Sequence, residues 1–117
     1  MTTLPEQSAP NAFETAILEA MARERPSLIL DVDRLRVRRR NYTGVGSYTD
    51  FLCDESGEQD TVSLKAPIAM PGVPSGMGAV LFCRGQRPSC LETFTYGDDF
   101  WTGAFEGFSV GRASTPE

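Results

Sequence analysis

Apolar residues recur along the chain first with the period of a helix and then with the period of a strand. Phe13, Ile17, Ala20 and Met21 fall at helical spacing, Ala16 and Leu18 widen the stripe, and Glu14, Glu19 and Arg23 lie mostly off it. Asn11 stands where an N-cap belongs, and Glu14 three residues later completes a capping box. Pro26 disfavours helical geometry in the residue before it, so the pattern predicts a helix over 12–24. The segment 27–34 reads as a short second helix or helical turn with Pro26 as its first residue, its β-branched content being low for a strand.

From Leu35 the period changes to two. Leu35, Val37 and Arg39 alternate with Arg34, Arg36, Arg38 and Arg40, which predicts a strand with a basic face. Thr43–Gly46 interrupts it as a turn or bulge, and 48–53 alternates again as a second strand. An acidic loop over 54–60 leads to a short strand over 61–66. The next segment, 67–78, holds three prolines and three glycines and reads as an irregular loop. Residues 79–83 and 90–96 bracket 84–89 as a central hairpin, and 105–110 reads as a last strand. Helix first and strands afterwards predict an α+β fold, with one or two N-terminal helices packed on an antiparallel sheet of about five strands. The domain is expected over 11–112, between flexible tails at 1–10 and 113–117.

Composition narrows the chemistry. A length of 117 residues leaves room for a single domain. No apolar run approaches the roughly 18 residues of a membrane span, and residues 1–10 do not resemble a secretory signal. A cytoplasmic protein that binds no membrane is therefore expected. Three cysteines are an odd number and a poor disulfide framework, which fits a reducing compartment. A bridge between Cys83 and Cys90 across the hairpin is left open. There is no histidine, which removes Ser-His and Cys-His dyads, imidazole bases and every histidine-containing metal site. The net charge of −5 opposes binding to nucleic acid and favours a protein partner.

Three stretches carry a resemblance. They are Arg40-Asn41-Tyr42-Thr43-Gly44-Val45-Gly46, then Gly76-Met77-Gly78-Ala79-Val80-Leu81-Phe82, then Leu91-Glu92-Thr93-Phe94-Thr95-Tyr96-Gly97 followed by Trp101. On these the chain, from about residue 12 to 110, resembles a group of small bacterial proteins of unknown function with an N-terminal helical region. Their size, acidity and helix-plus-sheet layout are similar in type to immunity proteins, which neutralise bacterial toxins. The resemblance implies a binding role and brings no catalytic residues, cofactor or metal.

The candidate site residues follow from charge and aromatic placement. Arg34, Arg36, Arg38 and Arg40 read either as a solvated strand face cross-paired with Asp50, Asp54 and Glu92 or as a surface for an anionic partner. Acidic residues gather at Asp54, Glu55, Glu58 and Asp60 and again at Asp98, Asp99 and Glu106. Phe94 and Tyr96 share a strand face and are expected in the core. Phe100 and Trp101 sit in a loop beside Asp98 and Asp99, a composition suited to an interface hot spot. The leading expectation is a non-enzymatic binding module that engages another protein through Asp98, Asp99, Phe100, Trp101 and Glu106. The alternative is a small carboxylate-based enzyme or ligand-binding domain, with Glu92 and Asp98 in a pocket at the sheet edge. Gly44-Val45-Gly46 opens a strand rather than a helix, so it is read as backbone geometry and not as a dinucleotide fingerprint. The three cysteines lack the spacing of a zinc site.

Overall fold

The helix forms where its pattern places it. In a computed structural model, which describes residues 8–54 and 56–111, α1 runs Ala12–Glu24. Both halves of the capping box are made: the Glu14 amide donates to Asn11 Oδ1 at 2.8 Å, and the Asn11 amide donates to Glu14 Oε1 at 2.9 Å. Phe13, Ile17, Leu18, Ala20 and Met21 are buried against the sheet. The chain then passes through turns at residues 26–27 and 32–34, without a second helix. Arg25 closes α1 with a bond from its amide to the Met21 carbonyl, and Leu28 and Leu30 reach the core from an irregular strap.

Seven strands follow, all paired antiparallel: β1 (Val37–Tyr42), β2 (Gly46–Phe51), β3 (Gln59–Ser63), β4 (Ile68–Met70), β5 (Val73–Arg84), β6 (Arg87–Thr95) and β7 (Ser109–Val110). The order across the sheet is β1-β2-β6-β5-β4-β7, with β3 also pairing with β5. The fold is α+β, with one helix and two more strands than the pattern suggests. The strand absent from the pattern, β4, comes from punctuation. Pro71-Gly72, with Gly72 at φ +83°, turns β4 back onto the first half of β5, inside a stretch whose proline content masks a strand. The final strand contracts to two residues, because Phe105 and Phe108 pack on Phe13 from irregular backbone.

The hairpin β5–β6 is tighter than the six-residue loop expected. Gly85 and Gln86 both have positive φ, at 56° and 65°, as a two-residue turn matched to strand twist requires. Pro88 then lies within β6, opposite the irregularity at Phe82/Cys83.

One face of the sheet carries the core: Val37, Phe51, Val62, Ile68, Met77, Ala79, Leu81 and Leu91 lie beneath α1. Among them runs a polar thread. Glu14 is only 2% exposed although it lies off the apolar stripe, and its carboxylate accepts from Arg40 Nε (2.7 Å), Arg40 Nη2 (2.8 Å) and Thr49 Oγ1 (2.7 Å) besides the Asn11 amide. Next to it Ser47 and Thr93 share a 2.6 Å hydroxyl bond. At the other end of α1, the Glu24 carboxylate accepts from the amides of Lys65 and Ala66.

Of the tail expected over 1–10, Ser8 bridges to Val37 and the Ala9 carbonyl accepts from Arg40. Residues 1–7 and 113–117, expected as tails, lie outside the described residues, as does Glu55.

The two arginine pairs make a paired test. Arg40→Ala strands a buried carboxylate and is expected to cost about 3 kcal/mol, read as a lowered urea midpoint. Arg39→Ala removes an exposed partner of Asp50 and is expected to cost less than about 1 kcal/mol.

Candidate functional site

The loop after β6 separates its two consecutive aromatics, exposing Phe100 and burying Trp101. The Trp101 amide donates to the Gly44 carbonyl at 3.0 Å, and its ring enters the core against Phe13 and Phe105, with the Tyr42 ring edge-on at 5.5 Å. Its indole Nε1 donates to the Ala104 carbonyl at 3.1 Å. Trp101 is 2% exposed, so the expectation that it meets a partner is corrected: it anchors the loop. Phe100 is 79% exposed.

The loop is held on the other side as well. Asp99 Oδ2 accepts from the Ser75 amide at 2.7 Å, and the Asp99 carbonyl accepts from Thr95 Oγ1 at 2.8 Å. Asp99 therefore works as a brace, while Asp98 and Glu106 are exposed. The turn between β1 and β2 docks alongside, its Val45 carbonyl accepting from the Thr95 amide. Gly44, at φ +88°, makes that turn, and a Cβ on Gly46 would fall 2.0 Å from the Thr93 carbonyl oxygen, so both glycines serve backbone geometry. Tyr42 and Val45 are exposed at the same end of the sheet as Phe100.

The electrostatics of the two ends differ. Between Gly97 and Gly111 the chain has three carboxylates, Asp98, Asp99 and Glu106, and no lysine or arginine. The other acidic cluster lies by the β5–β6 turn, where Arg25 pairs with Asp60 and the Gly85 amide donates to the Glu58 carbonyl. The Thr61 amide, and then Arg25, hold the Asp60 carboxyl below its usual range. The Ser56 amide does the same for Asp54.

The four arginines expected on one strand face are dispersed. Arg34 and Arg36 precede β1, where Arg34 pairs with Asp31 and Arg36 donates to the carbonyls of Asp33 and Leu35. A bulge between Val37 and Arg39 then shifts the alternation by one residue. Arg40 consequently faces α1 and Glu14, Arg39 faces outward to Asp50 at 3.0 Å, and Arg38 lines a cleft near the hairpin. The only sequence sign of this was the unbroken run of arginines, in which no polar alternation is visible.

Nucleophilic and acid–base chemistry finds little support. Cys83 and Cys90 are free thiols, and Cys90 lies opposite Phe82 rather than Cys83. Burial, then the Asp60 charge, pushes the Cys83 thiol up to about 11; burial, then a hydrogen bond to Asp50, pushes Cys90 up to about 12. Both are protonated at neutral pH and are poor nucleophiles. A cleft of about 500 Å³ collects Asp50, Asp60, Arg38 and Arg84, but neither Glu92 nor Asp98 lines it. Glu92 lies mid-strand on the outer face, accepting from the Tyr48 hydroxyl at 3.1 Å. The paired carboxylates of the enzymatic alternative are not brought together there. Among the described residues no helix is long and apolar enough to cross a membrane. Comparison with protein-family models, characterised proteins and solved structures finds no match to the chain.

Trp101 is the only tryptophan, so its fluorescence should be blue-shifted and poorly quenched by iodide in the native state, shifting red on unfolding. Trp101→Ala should cost about 3–5 kcal/mol, whereas Phe100→Ala should change stability by less than about 0.5 kcal/mol. The two thiols add a pH dependence. From their ordinary value of 9.0 up to about 11, the unfolded chain loses thiol protons that the folded chain keeps. Stability should therefore fall as pH rises through this window, and replacing both Cys83 and Cys90 by alanine should flatten that part of the profile.

Proposed function

We propose that the protein is a non-enzymatic, cytoplasmic binding module of bacterial immunity or accessory type, which engages a partner protein through the acidic loop carrying Phe100. The observation that carries this reading is the exposure of a large aromatic on a braced loop. Trp101 is locked in the core on one side of it, and Asp99 is bonded to Ser75 on the other. An aromatic held this way loses little conformational freedom on binding, which is the economy that preorganised interfaces exploit. Tyr42 and Val45 extend the apolar surface, and Asp98 and Glu106 supply charge with no nearby cation in that stretch of chain. A partner presenting lysine or arginine around an apolar pocket suits this composition. The resemblance to small bacterial proteins of unknown function, similar in type to immunity proteins, points the same way, and an odd number of cysteines suits a reducing compartment.

The test is affinity capture from the native host with wild-type protein, Phe100→Ala and Asp98→Ala/Phe100→Ala. The expected outcome is a specific partner retained by wild type and at least about tenfold weaker with the double variant, while thermal unfolding stays unchanged. Equal capture by both would remove the loop from the interface.

A further inference from the structure

Two of the sheet's register irregularities fall at the same end of it, on strands separated by β2. In β1, Val37 pairs with Phe51 and Arg39 with Asp50, so Arg38 is the inserted residue. In β6, Pro88 pairs with Cys83 and Cys90 with Phe82, so Ser89 is the inserted residue. A bulge leaves its extra residue out of the ladder and re-aims the side chain. Both inserted residues line one cleft of about 500 Å³, to which β5 adds Phe82 and Arg84 and β3 adds Thr61. None of the residues of the proposed interface lines it. Its volume falls within the roughly 300–1,000 Å³ of small-molecule sites.

The donors gathered in the cleft fit a phosphate group. The planar guanidinium forks of Arg38 and Arg84 match phosphate oxygens bidentately, and the Ser89 and Thr61 hydroxyls can donate to the oxygens that remain. Two carboxylates share the lining, but Asp50 is paired with Arg39 and Asp60 with Arg25, and neither of those arginines lines the cleft. Arg38 enters none of the ion pairs among the described residues, so its charge is kept for a ligand. Phe82 is 39% exposed and sets an aromatic ring among these donors. The net charge of −5 opposes a polyanion such as nucleic acid, whereas one phosphate brings little charge to a site with its own cation.

We propose that this cleft is a binding site for a small phosphate ester, its phosphate held by Arg38, Arg84 and Ser89 and its remainder lying against Phe82. Occupancy involves no covalent step. It is independent of what the Phe100 loop engages.

The experiment is titration of the isotope-labelled full chain with adenosine monophosphate, inorganic phosphate and adenosine, followed by amide chemical shifts. The nucleotide should saturate below about 10 mM and move the amides of Arg38, Ser89, Thr61 and Phe82. Inorganic phosphate lacks the part that meets Phe82, and adenosine lacks the part that meets Arg38, so each should bind at least about tenfold more weakly. Arg38 is exposed and Ser89 half-buried, so replacing either by alanine should leave thermal unfolding unchanged. Arg38→Ala and, separately, Ser89→Ala should each weaken the nucleotide at least about fivefold, while Phe100→Ala should bind it like wild type. No saturable shift with the nucleotide or with inorganic phosphate overturns the proposal. Shifts confined to residues outside the cleft, an affinity unaltered by both cleft variants, or equal binding of all three probes overturn it as well.

Discussion

The carboxylate of Glu14 is the point on which the arrangement of helix and sheet depends. A charge taken that far from water must have its oxygens filled by donors, because an unpaired buried carboxylate costs several kcal/mol. Four donors converge on it: the Asn11 amide, two guanidinium nitrogens of Arg40, and the Thr49 hydroxyl. They come from the helix N-terminus, the edge strand β1 and its neighbour β2. A shift in helix position, in β1 register or in β2 facing would leave at least one oxygen without its partner. Apolar packing tolerates sliding far better than this does, so specificity of alignment resides in the polar thread and cohesion in the core around it.

That constraint also gives the bulge in β1 its role. Under strict alternation from Val37, Arg39 would face the helix and Arg40 would face water. The inserted residue exchanges them, and each arginine then meets a carboxylate: Arg40 with Glu14, Arg39 with Asp50. Because three consecutive arginines look alike to a hydropathy pattern, a one-residue slip among them is invisible in the sequence. The same holds for Glu14. Its capping partner was legible three residues away, but its burial depended on a cation twenty-six positions distant in the chain.

The legible parts share a local cause. Helix α1, with its cap and its proline stop, follows from spacing within a few turns, and the alternating strands follow from period two. What stayed hidden was set either by backbone or by long-range packing. Pro71-Gly72 made a turn between strands inside a stretch dense in helix and strand breakers, and Gly85-Gln86 took left-handed geometry without the usual asparagine or aspartate. Phe94 and Tyr96 were sorted correctly onto one face, but to the uncovered side, since alternation alone does not say which face the single helix will cover. At the loop, composition grouped two residues that the structure divides, because Phe100 and Trp101 are equivalent until the core claims one ring.

Covering one face of a seven-stranded sheet with one thirteen-residue helix has a further consequence. The helix, the strap after it and the 97–108 segment cover one side, and among the described residues no element covers the other. A sequence adapted to leaving that side in water would spread lysine, glutamate and threonine over it, as β3 does with Thr61 and Ser63. The central strands instead place aromatics there, and the missing Cβ at Gly78 leaves room for the Phe94 and Tyr96 side chains. Glycine inside a strand is unfavourable for the isolated chain. Its use on both sides of Phe94 is accounted for by the close backbone approach at Gly46 and the ring packing at Gly78.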